Sequence, residues 1–191
     1  VTVKCRIGID DQDIYHDLNT FVSALTQAAV DGLIVHARKA WLNGINPRAN
    51  RKLPPLNYER VYQLKQEFPD LPIVINGGIE NLEQAKQHLE HIDGVMLGRK
   101  IIKHPRMLCE VDDTLFETQA PRGDIRSCLE KYLVYTENHL KQGLPSNRLF
   151  QPVLGLFQAM PGAKYLRGLL SQPYKTAEQG MLALTTAIKS L

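Results

Sequence analysis

The sequence predicts an α/β chain: the second half, strands five to eight, of a TIM (β/α)8 barrel, followed by an all-α helical domain. Three observations predict it. Four short apolar stretches alternate with segments of helical period in the first part of the chain, the pattern of a parallel sheet with right-handed crossovers. The last two of those strands close on glycines, Asn76-Gly77-Gly78 and Gly98-Arg99. Barrels commonly place a phosphate site after strands seven and eight, so the visible strands are numbered five to eight. From about Ile125 onward only helical periods remain. The expected division is residues 1–118 for the half-barrel and 119–191 for the helical domain.

The elements follow in order. Val1 to Ile7 alternates, with Val1, Val3, Cys5 and Ile7 on one face and Lys4 and Arg6 on the other, the period of a strand. After an acidic turn, Asp10 to Asp13, the stretch Ile14 to Val30 sets Leu18, Phe21, Val22, Leu25 and Ala29 at helical spacing. Gly32 to Ala37 is a short apolar run of the kind found in buried parallel strands. A long polar loop, Arg38 to Pro55, leads to a helix from Tyr58 to Phe68. Leu71 to Ile75 is the third strand. Asn81 then opens a helix through Leu89, with Gln84 placed to complete a capping box. Gly94 to Arg99 is the fourth strand. The later helices span Ile125 to Lys141, Asn147 to Ala159, Ala163 to Leu170 and Ala177 to Ser190, parted by Gly143-Leu144-Pro145, Pro161-Gly162 and Pro173.

Bulk properties narrow the function classes. The chain has 191 residues, 43% of them apolar, ordinary for a globular protein able to bury a core. No run approaches the length of a membrane span and no signal-peptide pattern opens the chain, so a cytoplasmic setting is expected. Cys5, Cys109 and Cys128 form no CxxC pair, which indicates neither a disulfide framework nor a zinc site. The net charge of +3 hides a division. Residues 1–118 hold fourteen Lys/Arg against sixteen Asp/Glu, and residues 119–191 hold nine against four. The basic tail suits a polyanionic partner. The first residue is Val1 and the chain enters a strand at once, so a front half is expected upstream, on the order of 130 residues if a whole barrel has about 250.

In parallel α/β sheets ligands sit at the carboxyl ends of the strands. That rule selects Lys4 and Arg6, His36 and Arg38, Asn76 to Gly78, and Gly98 with Arg99. A glycine after a strand lets backbone approach a ligand closely, and its N–H groups beside a helix N-terminus favour an anion. Two such turns in succession suggest one phosphate between the last two strands. Taken singly, a Gly-Gly turn is more often a plain turn, a strand lysine a solvated residue and a lone histidine structural. The conjunction at four strand ends is what carries the functional reading.

These residues resemble a known family. Val3-Lys4-Cys5-Arg6-Ile7-Gly8, His36-Ala37-Arg38-Lys39-Ala40, Ile75-Asn76-Gly77-Gly78-Ile79 and Asp93-Gly94-Val95-Met96-Leu97-Gly98-Arg99 are similar to the successive strand ends of tRNA-dihydrouridine synthases. The run through Trp41, Pro54-Pro55-Leu56-Asn57-Tyr58, Leu154-Gly155-Leu156-Phe157 and Pro161-Gly162-Ala163 resemble the A subfamily, which acts at D-loop positions 20 and 20a. The resemblance implies that Lys4 and His36 contact the ring of FMN and that Asn76, Gly77, Gly78, Gly98 and Arg99 bind its phosphate. It also implies NADPH as reductant and tRNA as substrate; no metal is expected. The family's general-acid cysteine lies on a strand-four loop and has no counterpart here, so this chain by itself is expected to be inactive. Cys5 alternates with Lys4 and Arg6 and is expected to pack rather than react. Cys109 and Cys128 have no evident basic partner.

The loop from Arg38 to Lys52 carries five cations and no acidic residue. Arg48 and Arg51 fall where the subfamily places tRNA contacts, and Arg38 joins them. Arg122, Arg126, Lys131, Arg148, Lys164 and Arg167 give the helical domain a basic surface. The Asn147 to Pro152 stretch departs from the subfamily's Thr-Arg-His pattern, which bears on Arg148 as an RNA contact. Two alternatives remain at this point: a non-catalytic RNA-binding module built on the helical domain, and another FMN-dependent TIM-barrel oxidoreductase, against which the basic tail argues.

Overall fold

The structure, a computed structural model, describes residues 1–11, 15–116, 118 and 124–191. Asp13, the helix start at Ile14 and Arg122 lie outside the described residues. The chain forms two compact units, Val1–Leu97 and Gly98–Leu191.

In the first unit, β1 (Thr2–Arg6), β2 (Gly32–His36), β3 (Ile73–Asn76) and β4 (Gly94–Met96) form one parallel sheet in sequential order. The crossovers carry α1 (Tyr15–Gln27), the short α2 (Pro47–Asn50), α3 (Glu59–Glu67) and α4 (Leu82–Leu89). Register fixes which side chains share a face. Val3, Leu33 and Ile73 pair in one row, Cys5, Val35, Ile75 and Val95 in another. Leu33, Val35, Ile73 and Ile75 are buried, as are Leu18 and Val22 of α1, Val61 and Leu64 of α3, and Leu82 and Ala85 of α4. Period 2 on the strands meets period 3.6 on the helices, and each contributes one apolar face. Phe21, expected in the α1 stripe, is instead 44% exposed.

The opposite face carries Lys4, Ile34, Val74 and Gly94 in one row and Arg6, His36, Asn76 and Met96 in the next. Packing at Gly94 is close, since a Cβ would sit 3.1 Å from Val74 Cγ2. Asp93 ties three elements together. Its carboxylate accepts from the Ile73 N–H at 2.8 Å and pairs with Lys65 Nζ at 2.8 Å.

The expected capping box at α4 takes a variant form. Asn81 Oδ1 accepts from the Gln84 N–H at 2.8 Å, while the Gln84 side chain reaches back to the N–H of Glu80 rather than to that of Asn81. One first-turn donor, the Gln84 N–H, and the N–H of Glu80 just before the cap are satisfied. The predicted polar loop contains a helical turn, α2, capped by Asn46 with Pro47 at its first position.

The second unit opens with α5 (Arg99–Lys103), so the fourth strand ends at Met96 and Gly98 stands before a helix. A 3-10 stretch (Pro105–Glu110) and α6 (Val111–Leu115) follow. Then come α7 (Ile125–Lys141), α8 (Ser146–Phe150), α9 (Ala163–Leu170) and α10 (Ala177–Lys189). The helix predicted over 147–159 is not continuous. It breaks after Phe150 into a 3-10 stretch, Gln151–Phe157, because Pro152 has no N–H to donate and its ring crowds the preceding turn. Phe150, Phe157, Leu129, Leu170 and Leu184 centre the core. Gly155 permits a close crossing: a Cβ there would stand 2.5 Å from Pro105 Cδ and 2.7 Å from the carbonyls of Ile102 and Lys103.

Candidate functional site

Four of the predicted residues, Lys4, Arg6, His36 and Asn76, share one face of the sheet in the first unit. Register places Arg6, His36, Asn76 and Met96 side by side at the carboxyl ends of the strands, with Lys4 one pleat below on the same face. Lys4 Nζ donates to Asn76 Oδ1 at 3.0 Å, and Asn76 Nδ2 donates to the Met96 carbonyl at 2.7 Å. The ammonium is thus held toward β3 by a carboxamide that is itself oriented by β4. Burial lowers the Lys4 pKa, and the neighbouring Arg6 charge acts in the same direction.

The glycine turn after β3 is built from positive φ and from crowding. Gly77 and Gly78 have φ of 123° and 71°, values that a side chain makes costly. A Cβ on Gly77 would fall 2.7 Å from His36 Cδ2, and one on Gly78 would fall 2.6 Å from Leu56 Cδ1. On the side where a Cβ would project, His36 and Leu56 leave room for glycine alone. The Tyr58 hydroxyl donates to the Gly77 carbonyl at 2.8 Å, and its ring packs edge-on to His88 with centroids 4.5 Å apart. Tyr58 is therefore part of the turn, a role that sequence reading missed.

Burial raises the Cys5 thiol to about 11. It stays protonated at neutral pH, with none of the thiolate character a reactive cysteine needs. Arg6, selected as a strand-end cation, is occupied structurally. Its Nη1 donates to the Lys39 carbonyl at 2.7 Å and to the Asn50 carbonyl at 3.0 Å. Burial lowers its pKa, and the charges of Arg38 and Arg51 lower it further, so three guanidinium groups share one neighbourhood. Arg38 donates to the Pro54 carbonyl, and its backbone bridges Leu56 in antiparallel fashion. Arg48 and Arg51 are exposed at α2.

Gly98, Arg99 and Arg148 belong to the second unit, where Arg99 opens α5 and Arg148 lies on α8; both arginines are exposed. Among the described residues no group of three or more His, Cys, Asp or Glu is placed to hold a metal ion, and no helix is long and apolar enough to cross a membrane.

Comparison with known proteins decides the family. The model of the dihydrouridine synthase (Dus) family matches residues 1–191. The chain belongs to the Dus family. A tRNA-dihydrouridine(20/20a) synthase of Vibrio vulnificus is 44% identical over 192 residues, covering 100% of this Dus chain and 59% of the relative. Proteins of the same name from Pasteurella multocida and Salmonella typhimurium are each 45% identical over 188 and 190 residues, with 58% and 57% of the relative covered. The Dus chain therefore spans less than two thirds of the length of these relatives.

Proposed function

We propose that this chain forms strands five to eight of a flavin-binding barrel together with a helical tRNA-binding part, and that the whole enzyme reduces uridine to 5,6-dihydrouridine at tRNA D-loop positions 20 and 20a. The observation that carries the proposal is the Lys4 ammonium fixed on Asn76 beside the His36 and Gly77-Gly78 tip. A positioned cation and a positive-φ turn at one end of a parallel sheet suit a ring and a phosphate of one nucleotide cofactor. Lys4 and His36 would hold the FMN ring. Asn76, Gly77, Gly78, Gly98 and Arg99 would bind its phosphate. When bound, FMN supplies the hydride chemistry, with NADPH as the source of reducing equivalents and the C5=C6 bond of uridine as acceptor.

The chain's own residues do the rest of the work assigned to them. Lys4 sets positive charge beside the ring. His36 closes the turn against Gly77. Arg48 and Arg51, with Arg38 and Arg148, engage RNA phosphates, a contact that gives affinity and salt dependence more than sequence choice. The target base leaves its stack to reach the cofactor plane. Cys5 pairs with Val35 in the row on the sheet face opposite Lys4, so it is not the proton donor to C5, and the general acid would come from the other half of the barrel.

The test is a chimera in which residues 1–191 replace the matched region of the Vibrio vulnificus relative. Supplied with NADPH and an unmodified tRNA transcript, it should form dihydrouridine by mass spectrometry, and Lys4→Met should reduce the rate at least 100-fold, roughly the scale of removing one charge-stabilising group. Residues 1–191 alone should form none. A chimera that binds tRNA but shows no FMN absorbance and no turnover would return the chain to the RNA-binding reading.

A further inference from the structure

The basic loop that follows β2 is locked at its middle by one carboxamide. Asn50 sits between Arg48 and Arg51, the last residue of α2. Its Oδ1 accepts from the Trp41 N–H at 3.1 Å and from Arg6 Nη1 at 3.3 Å, while its Nδ2 donates to the Trp41 carbonyl at 2.5 Å. Its own carbonyl accepts from Arg6 Nη1 at 3.0 Å, and the same guanidinium nitrogen holds the Lys39 carbonyl. The start of the loop, its centre and the tip of β1 therefore meet at one side chain.

The outer end of the turn is fixed separately. Asn46 Oδ1 accepts from the Ala49 N–H at 2.9 Å, and the Asn50 N–H donates to the Asn46 carbonyl at 2.9 Å. The base of the loop is zipped to the segment after β1, with the Ala40 N–H on the Gly8 carbonyl, the Asp10 N–H on the Ala40 carbonyl and the Leu42 N–H on Asp10 Oδ1. Arg48 and Arg51 stand three positions apart, the spacing that puts helical side chains on one side, and both are exposed. Asn50 points inward between them.

We propose that Asn50 is a positioning residue for RNA: its clasp on Arg6 and Trp41 holds the loop closed before binding, so that Arg48 and Arg51 meet the phosphate backbone already oriented. A short loop bearing clustered like charges repels itself and tends to open. Three hydrogen bonds on one carboxamide, two to Trp41 and one to Arg6, together with the Arg6 bond to the Asn50 backbone carbonyl, oppose that opening. Preorganisation increases affinity by removing ordering costs from the binding step. The inference rests on the reading that Arg48 and Arg51 touch tRNA, and the experiment separates the two.

Trp41 is the sole tryptophan of the chain, so its fluorescence reports the clasp directly. In residues 1–191, Asn50→Ala should raise acrylamide quenching of Trp41 and speed amide exchange at Trp41, while weakening binding of an unmodified tRNA transcript about ten-fold, the size expected when two long side chains must be ordered during binding. Asn46→Ala, an exposed change at the other end of the turn, should weaken binding in the same direction. Asn46→Ser, which keeps a capping oxygen, should stay near wild type. Arg48→Ala with Arg51→Ala should weaken binding and lower the salt slope by about one per lost phosphate contact, without affecting Trp41. Unchanged Trp41 quenching in Asn50→Ala overturns the clasp. Increased quenching with unchanged tRNA affinity overturns the positioning role. Unchanged affinity in the double arginine variant overturns the underlying RNA reading, and the inference with it.

Discussion

At the scale of single residues, similar letters have different physical meanings. Gly77 and Gly168 show this for glycine. At Gly77, φ is 123° and a Cβ would meet His36 at 2.7 Å, whereas Gly168 lies inside α9 with nothing within 4 Å of an added Cβ. Gly77→Ala is expected to cost about 1–3 kcal/mol through backbone strain and the displaced imidazole. Gly168→Ala is expected to stabilise by roughly 0.5–1 kcal/mol, because a helix interior prefers alanine. Urea midpoints of both variants check the pair, and a neutral Gly77→Ala would contradict the crowding described at the turn. The lysine and arginine of β1 differ as sharply. Lys4 is directed at Asn76 on the site face, while Arg6 spends its Nη1 on loop carbonyls.

Among the elements, the β3–α3–β4 junction is held by Asp93. Burial works to raise its pKa, but the Ile73 N–H and the Lys65 ammonium outweigh it, and the net shift is downward. A depressed carboxylate pKa contributes stability that is complete above the ordinary aspartate value of about 3.9 and is lost as pH falls through the lower folded value. Asp93→Ala should therefore cost about 1–2 kcal/mol at pH 7, for one charge-assisted hydrogen bond and a partly exposed ion pair. At acid pH, below the lowered folded value, the variant and the parent should converge. Urea unfolding at the two pH values measures this, and a deficit equal at both would show that packing, not charge, ties the junction.

Element existence was legible in the sequence to the extent that it rests on local pattern. The four strands and the helices α1, α3, α4, α7, α9 and α10 follow apolar periodicity and capping residues that any short window displays. The 147–159 helix was misread because apolar spacing outvoted Pro152. α2 was missed although Asn46-Pro47 is a start signal, since the turn has no apolar face to produce a period. α5 and α6, five residues each, are too short to show one.

Across the whole molecule, the two units have separate hydrophobic cores, and the cluster around Phe150, Phe157 and Leu184 draws only on residues of the second. Residues 98–191 produced alone should accordingly keep helical circular dichroism and melt cooperatively. Residues 1–97 should self-associate, because β1 and β4 end the sheet order and leave backbone groups for pairing. Sedimentation and thermal scans of the two pieces test this; a monomeric first piece with an unfolded second would refute the assignment of independent cores.

The sequence by itself determined the α/β alternation, the apolar faces, the glycine turns and the ordered motifs that mark the Dus family, because each is written in residues close along the chain. Only the tertiary structure decided that Asn76 orients Lys4, that Arg6 braces the basic loop, and that His36 fills the space over Gly77. Those partners stand 72, 44 and tens of residues apart. Hydrogen bonds across such separations depend on strand register and loop closure, and neither leaves a period in the sequence for a reader to count.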